Sequence, residues 1–162
     1  MTLKNLLGIG LDAIRPDRAR IAKLLAAAER NIADAGLKGL STENRFDAAY
    51  KAIMQAAMAA LHANGYRTLT SKLGHHQTAI QTLTTSVGLP GGKVVVLDAL
   101  RKQRNLADYS GELVSDAAAA KRVGSARSWW RMYGGGVGQT IQSCCETKAR
   151  GRTSIDSEAC CQ

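Results

Sequence analysis

Aromatic residues make up only 4% of this chain, with one phenylalanine, and it has just two prolines. The longest β-branched run is Val94-Val95-Val96, too isolated to found a system of strands, which draw on β-branched and aromatic residues. Cysteine is missing from the body of the chain and occurs only as Cys144-Cys145 and Cys160-Cys161. Zinc ribbons space their paired cysteines by two residues so that both thiolates face one metal. Adjacent pairs fit that poorly, so free thiols are expected and no metal or cofactor site is assigned. No apolar run approaches the ~20 residues of a membrane span. The run Leu6-Leu7-Gly8-Ile9-Gly10-Leu11 meets Asp12 and Arg15 at once and has no small-residue cleavage site. A signal peptide is therefore not expected, and the cytoplasm is the expected compartment.

What the chain does have is alanine, which accounts for much of its 45% apolar content. Alanine is the best helix former and loses no side-chain entropy, so closely packed helices are favoured over sheets. A length of 162 residues suits one compact domain. The net charge is +9, and beyond residue 133 Lys148, Arg150 and Arg152 are balanced by Glu146, Asp156 and Glu158. Residues 1–133 thus carry the whole excess. A folded basic surface favours polyanions: RNA, DNA, an acidic partner or a membrane face.

Residues 1–16 form an N-terminal segment, with a short amphipathic helix expected over 3–14. Pro16 suits the opening of a helix over about 17–35, where Ile21, Leu24, Leu25, Ala28 and Ile32 follow helical spacing and Gly36 marks the stop. Ser41 or Thr42 can cap a second helix in which Phe46, Ala49, Tyr50, Ile53, Ala57 and Leu61 share a face, ending at Asn64-Gly65. Tyr66 to Gly74 reads as a loop, and a third helix is expected over 75–87. A fourth, about 93–108, is expected to bury Val96, Leu97, Leu100 and Ala107. Ser115 then caps a fifth, through about Arg131, with a small buried face of Ala117, Ala120 and Gly124. Short loops favour an all-α, antiparallel up-and-down bundle of four or five helices over residues 17–133. Residues 134–162 open on Gly134-Gly135-Gly136-Val137-Gly138 and are expected to be a mostly disordered tail. Those glycines follow a helix and lack a P-loop lysine, so they read as a linker.

One stretch stands out: Arg101-Lys102-Gln103-Arg104-Asn105-Leu106-Ala107-Asp108-Tyr109. Three other pieces accompany it. They are Arg45-Phe46-Asp47-Ala48-Ala49-Tyr50-Lys51-Ala52, the exit Asn64-Gly65-Tyr66-Arg67, and the opening Gly74-His75-His76-Gln77-Thr78-Ala79-Ile80. In this order and spacing they resemble a HEPN domain over roughly residues 17–131. The resemblance implies a small helical bundle, commonly a homodimer with a joint cleft, that binds and in many cases cleaves RNA without metal. It also implies a toxin–antitoxin or defence setting, with an antitoxin or a nucleotidyltransferase as partner. In that pattern an arginine and a polar residue precede a histidine. Arg104 matches the arginine and Asn105 the polar residue, while Asp108 or Tyr109 falls where histidine is expected.

Cleavage by a 2′-hydroxyl needs a base, an acid for the leaving oxygen, and a cation to hold the charged phosphorane. Histidine, with a pKa near ~6.5, serves either proton role. Tyrosine near ~10 is a poor base at neutral pH and aspartate near ~3.9 a poor acid. Arg104 still suits bidentate phosphate binding. The enzyme reading therefore gives Arg104 the phosphate, Asn105 its orientation, and Asp108 or Tyr109 a weakened proton-transfer role. The other reading is a catalytically silent helical partner of a nucleotidyltransferase or other defence protein, with Tyr109 open to nucleotide transfer. Local ion pairs are an alternative use of the same residues, since Asp98 and Lys102, and Arg104 and Asp108, are each one helical turn apart.

Arg101 and Lys102 extend the basic run. His75 and His76, at a helix start where backbone N–H groups favour anions, are candidates for phosphate contact or for supplying the absent histidine; the alternative places one toward the core and one toward solvent. His62 reads as structural. Arg127 and Arg131 flank Trp129-Trp130, a combination suited to stacking on unpaired bases and equally to a subunit interface or core packing.

Overall fold

The computed structural model describes residues 2–110 and 116–131. The side chains of residues 107–110, 116, 118, 119, 121, 122 and 129 lie outside that description, and so do the Ser115 cap and the expected tail of residues 134–162.

The described residues are mostly helical. A 3-10 turn, Leu3–Leu6, precedes strand β1, Leu11–Ala13, and helix α1, Arg18–Asp34. Helix α2 is Thr42–Ala63, strand β2 is Tyr66–Thr68, and helices α3 and α4 are His75–Gln81 and Leu83–Val87. Helix α5, Gly91–Ser110, and helix α6, Asp116–Trp129, complete the order.

Local chemistry sets the main boundaries. Asp17 caps α1, its carboxylate accepting from the Ala19 and Arg20 backbone N–H groups at 2.9 and 3.3 Å. Ser41 caps α2, its hydroxyl accepting from Asn44 N–H at 3.3 Å. Arg45 closes the other side of the turn by donating to the carbonyl of Ala35, 3.1 Å away, where α1 leaves its last carbonyls unpaired. The chain doubles back there, so Asn31 of α1 donates to Gln55 of α2 at 2.8 Å. Gly65 leaves α2 with φ of 86°, a conformation that favours glycine. Asn64 ties that end down by donating to Ala60 and Ser86 carbonyls at 2.8 and 3.1 Å.

Helix α2 is the centre of the molecule. Phe46, Tyr50, Ile53, Met54 and Leu61 are buried along it, together with Ala48, Ala49, Ala52, Ala56, Ala57, Ala59 and Ala60. The alanines let neighbours approach on several sides, and α1, α3, α4, α5, α6 and β2 all pack on it. Such a helix buries its circumference rather than one stripe.

Five expectations are corrected. Residues 3–14 are not a helix: β1 pairs antiparallel with β2, Leu11 opposite Thr68 and Ala13 opposite Tyr66, so Tyr66–Thr68 is a strand and not loop. Leu3 and Leu11 enter the same core as α2. The helix expected over 75–87 breaks at Thr82, whose buried hydroxyl donates to the Ala79 carbonyl at 2.9 Å. On α5 the buried face is Val94, Leu97 and Leu100, while Val96 is 45% exposed. On α6 Val123 and Ala126 are buried, whereas Ala117, Ala120 and Gly124 face outward. An alanine-rich helix has little periodicity to fix its rotation.

The central packing has a measurable signature. Ile53 is 1% exposed, so Ile53→Ala is expected to cost about 2–5 kcal/mol of unfolding free energy in a urea titration. Val96→Ala, on the outward face of α5, is expected to stay within about 0.5 kcal/mol of the parent.

Candidate functional site

The site begins with a tyrosine in the wall of the core. Tyr50 shares a face of α2 with Asp47, one turn earlier, and is 3% exposed. Its hydroxyl lies 3.1 Å from His76 Nδ1, so a hydrogen bond joins α2 to the first turn of α3; which group donates follows the imidazole tautomer. His75 meets His76 edge-on, with ring centroids 4.4 Å apart.

Helix α5 lays its cations over the same tyrosine. The Arg104 guanidinium carbon is 5.3 Å from the centroid of the Tyr50 ring, within cation–π range. Its Nε donates to Asp47 Oδ1 at 3.3 Å, with the arginine side chain 29% exposed. One turn back, Arg101 Nε donates to Asp98 at 2.7 Å, and Lys102 reaches the other oxygen of Asp98 at 3.3 Å. The expected Asp98–Lys102 pair is therefore present.

These neighbours set the protonation states. Burial pushes the Tyr50 hydroxyl up to about 12; Arg104 and Arg101 oppose that and Asp98 adds to it. His76 is held below the ordinary imidazole range, first by burial and then by the charges of His75, Arg104 and Arg101. Burial alone would raise the Asp98 carboxyl, but hydrogen bonds from Arg101 and Lys102, and their charges, hold it below its usual value. At neutral pH the cluster thus holds a protonated phenol beside a neutral imidazole, with guanidinium groups around them.

Of the residues singled out from sequence, Arg101, Arg104, His75 and His76 come together here. Lys102 stays exposed at the edge with Asn105. The side chains of Asp108 and Tyr109 lie outside the described residues. Arg127 stands elsewhere: its Nη1 would be 3.2 Å from a Cβ placed on Gly36, at the turn between α1 and α2. Arg131 is exposed at the end of α6, and half-buried Trp130 packs against the core. The charges acting on Tyr50 and His76 are those of α3 and α5. Helix α3 spans only His75–Gln81, too short to bring much dipole to an anion.

Tyr50 and Asp47 were not read as site residues. Tyr50 sits on the apolar stripe of α2 and looks like core. The available signal was Asp47, a carboxylate on that same face, although Lys51 one turn further along α2 offered it a local use. Among the described residues, no group of three or more His, Cys, Asp or Glu side chains is placed to hold a metal ion. No family model, curated protein or solved structure matches this chain.

Both His76 and His62 have depressed folded-state pKa values, so each binds a proton more readily when unfolded. Their contribution to stability is full above the unfolded value near ~6.5 and is lost as pH falls through the folded values. Chemical unfolding followed from pH 8 down to pH 5 should show declining stability, with a shallower decline in His76→Gln. An unchanged slope in that variant would count against the buried, cation-flanked setting of His76.

Proposed function

We propose that the protein binds RNA, holding a backbone phosphate at the Arg104–His76–Tyr50 cluster, and that this cluster supports slow phosphodiester cleavage. The observation that carries the reading is that a guanidinium and a neutral imidazole flank one buried tyrosine. His76 then takes the place of the histidine absent from the stretch after Arg104. A neutral imidazole is a competent base for a 2′-hydroxyl proton. Arg104 holds the phosphate and stabilises the phosphorane, His75 is the second proton carrier, and exposed Asn105 and Lys102 extend the contact along α5. An up-and-down HEPN-like bundle in a toxin–antitoxin or defence module is the setting in which this chemistry makes sense. Exposed Val95 and Leu106, about three turns apart on α5, support a homodimer formed beside the cluster.

The ion pairs favour a second reading. Asp47 and Asp98 each engage a guanidinium that RNA would need. In a catalytically silent partner of a nucleotidyltransferase or an antitoxin, those pairs would simply lock α5 to α2 and to itself.

One substitution separates the two. Asp47→Asn releases Arg104 from its carboxylate, and RNA affinity should rise several-fold in a filter-binding or fluorescence titration. Arg104→Ala should weaken binding about tenfold, the scale of one charge-assisted hydrogen bond, and flatten the salt dependence. His76→Ala should retain binding while abolishing cleavage measured in chelator. RNA affinity indifferent to both Asp47→Asn and Arg104→Ala would leave the silent-partner reading standing.

A further inference from the structure

A second concave site, independent of the RNA reading, lies where β1 and β2 meet α1 and α2. It is a cleft of about 320 Å³, within the size range of small-ligand pockets. Arg20 of α1 and Arg67 of β2 line it, with Asp12 of β1, while Met58 and Leu61 supply an apolar floor.

Two of its polar side chains are in an unusual position. His62 and Thr68 are each 7% exposed, and both line the cleft. Among the described residues neither side chain has a hydrogen-bond partner in the protein, yet the sole sealed, unpartnered polar atom found there is Ser86 Oγ. The polar atoms of His62 and Thr68 therefore keep their outlet into the cleft itself. Polar groups without protein partners are left to water or a ligand, and here two line the same cleft.

The charge around them has a definite sign. Arg20 is exposed and its guanidinium has no ion-pair partner among the described residues. Arg67 pairs with Asp12 at 3.1 Å, through side chains that are 56% and 38% exposed, a pair of the loose surface kind. Burial and then the charges of Arg20 and Arg67 disfavour protonation of His62, with Asp17 opposing. Two guanidiniums thus help to keep the imidazole neutral, and a bound anion would offset their charge. The hydroxyls of Thr70 and Ser71, at the rim, offer further donors and acceptors.

We propose that this cleft binds a small phosphomonoester of the sugar-phosphate class, its phosphate held by Arg20 and Arg67 and hydrogen-bonded by His62 and Thr68. Guanidinium pairs match the geometry and charge of a phosphate. Asp12 accepts from a ligand hydroxyl, and Met58 and Leu61 take its carbon face. The volume of about 320 Å³ suits a small molecule.

The test is titration of the full chain with ribose 5-phosphate, inorganic phosphate and ribose, read by calorimetry and by the His62 ring resonance. Ribose 5-phosphate should bind saturably at millimolar concentration or below, shift the His62 signal and raise its pKa, and bind more tightly than inorganic phosphate. Ribose should not bind. Arg20→Gln, at an exposed side chain whose loss should leave unfolding unchanged, should weaken binding about tenfold. Arg104→Ala should bind ribose 5-phosphate as the parent does, which keeps this site separate from the proposed RNA site. Absence of saturation would overturn the proposal. So would equal affinity in Arg20→Gln, binding that leaves His62 unmoved, or saturation by a 5′-phosphorylated oligoribonucleotide alone.

Discussion

The burial of α2 is the constraint on which everything else in this protein depends. Over half of its buried residues are alanine, so six neighbouring elements approach its backbone closely. That packing leaves little room for large polar side chains, and those that remain on α2 sit where neighbours bring compensating groups. Tyr50 finds an imidazole and a guanidinium. Asn31 of α1 finds Gln55 of α2. His62, by contrast, finds a cleft. The two candidate sites lie toward opposite ends of the same helix because its middle is too tightly covered to hold either.

Charge follows the same geometry. The basic excess sits on residues that surround α2, and the structure divides it unevenly. Arg101 and Lys102 are partly balanced by Asp98 within α5, and Arg104 by Asp47, the pair that ties α5 to α2. Such partly exposed pairs are individually weak, so a phosphate can compete with a carboxylate for the same guanidinium. Arg20 has no such partner among the described residues. In the proposed readings one site exchanges an internal anion for an external one, and the other captures its anion directly.

The legible parts of the fold were those where a single residue type has one local role. Ser41 begins a helix by accepting a backbone N–H bond, and Gly65 ends one by taking positive φ, whereas the start of α1, read at Pro16, is set by the Asp17 cap. The β1–β2 pairing was not legible, because Leu11-Asp12-Ala13 and Tyr66-Arg67-Thr68 are three residues each and alternate too briefly to read against a loop. The rotation of α5 was misjudged at Val96 since Val94, Val95 and Val96 are equivalent by composition; contact with α2 and α3 decides that Val94 turns inward. Helix α6 was misjudged because alanine suits either face. Of the site, Arg104 and the histidines stood out by type, but their meeting at Tyr50 required α2, α3 and α5 to converge, which no local pattern encodes.

Placing a phosphate at the tyrosine-centred cluster is the central claim, and the His76 ring is its natural reporter. The most direct measurement is an imidazole carbon–proton correlation spectrum of the full chain during titration with single-stranded RNA. A saturable shift of the His76 resonance, with that of His62 unmoved, is the result this account expects. Saturable RNA binding that leaves the His76 resonance in place would contradict it.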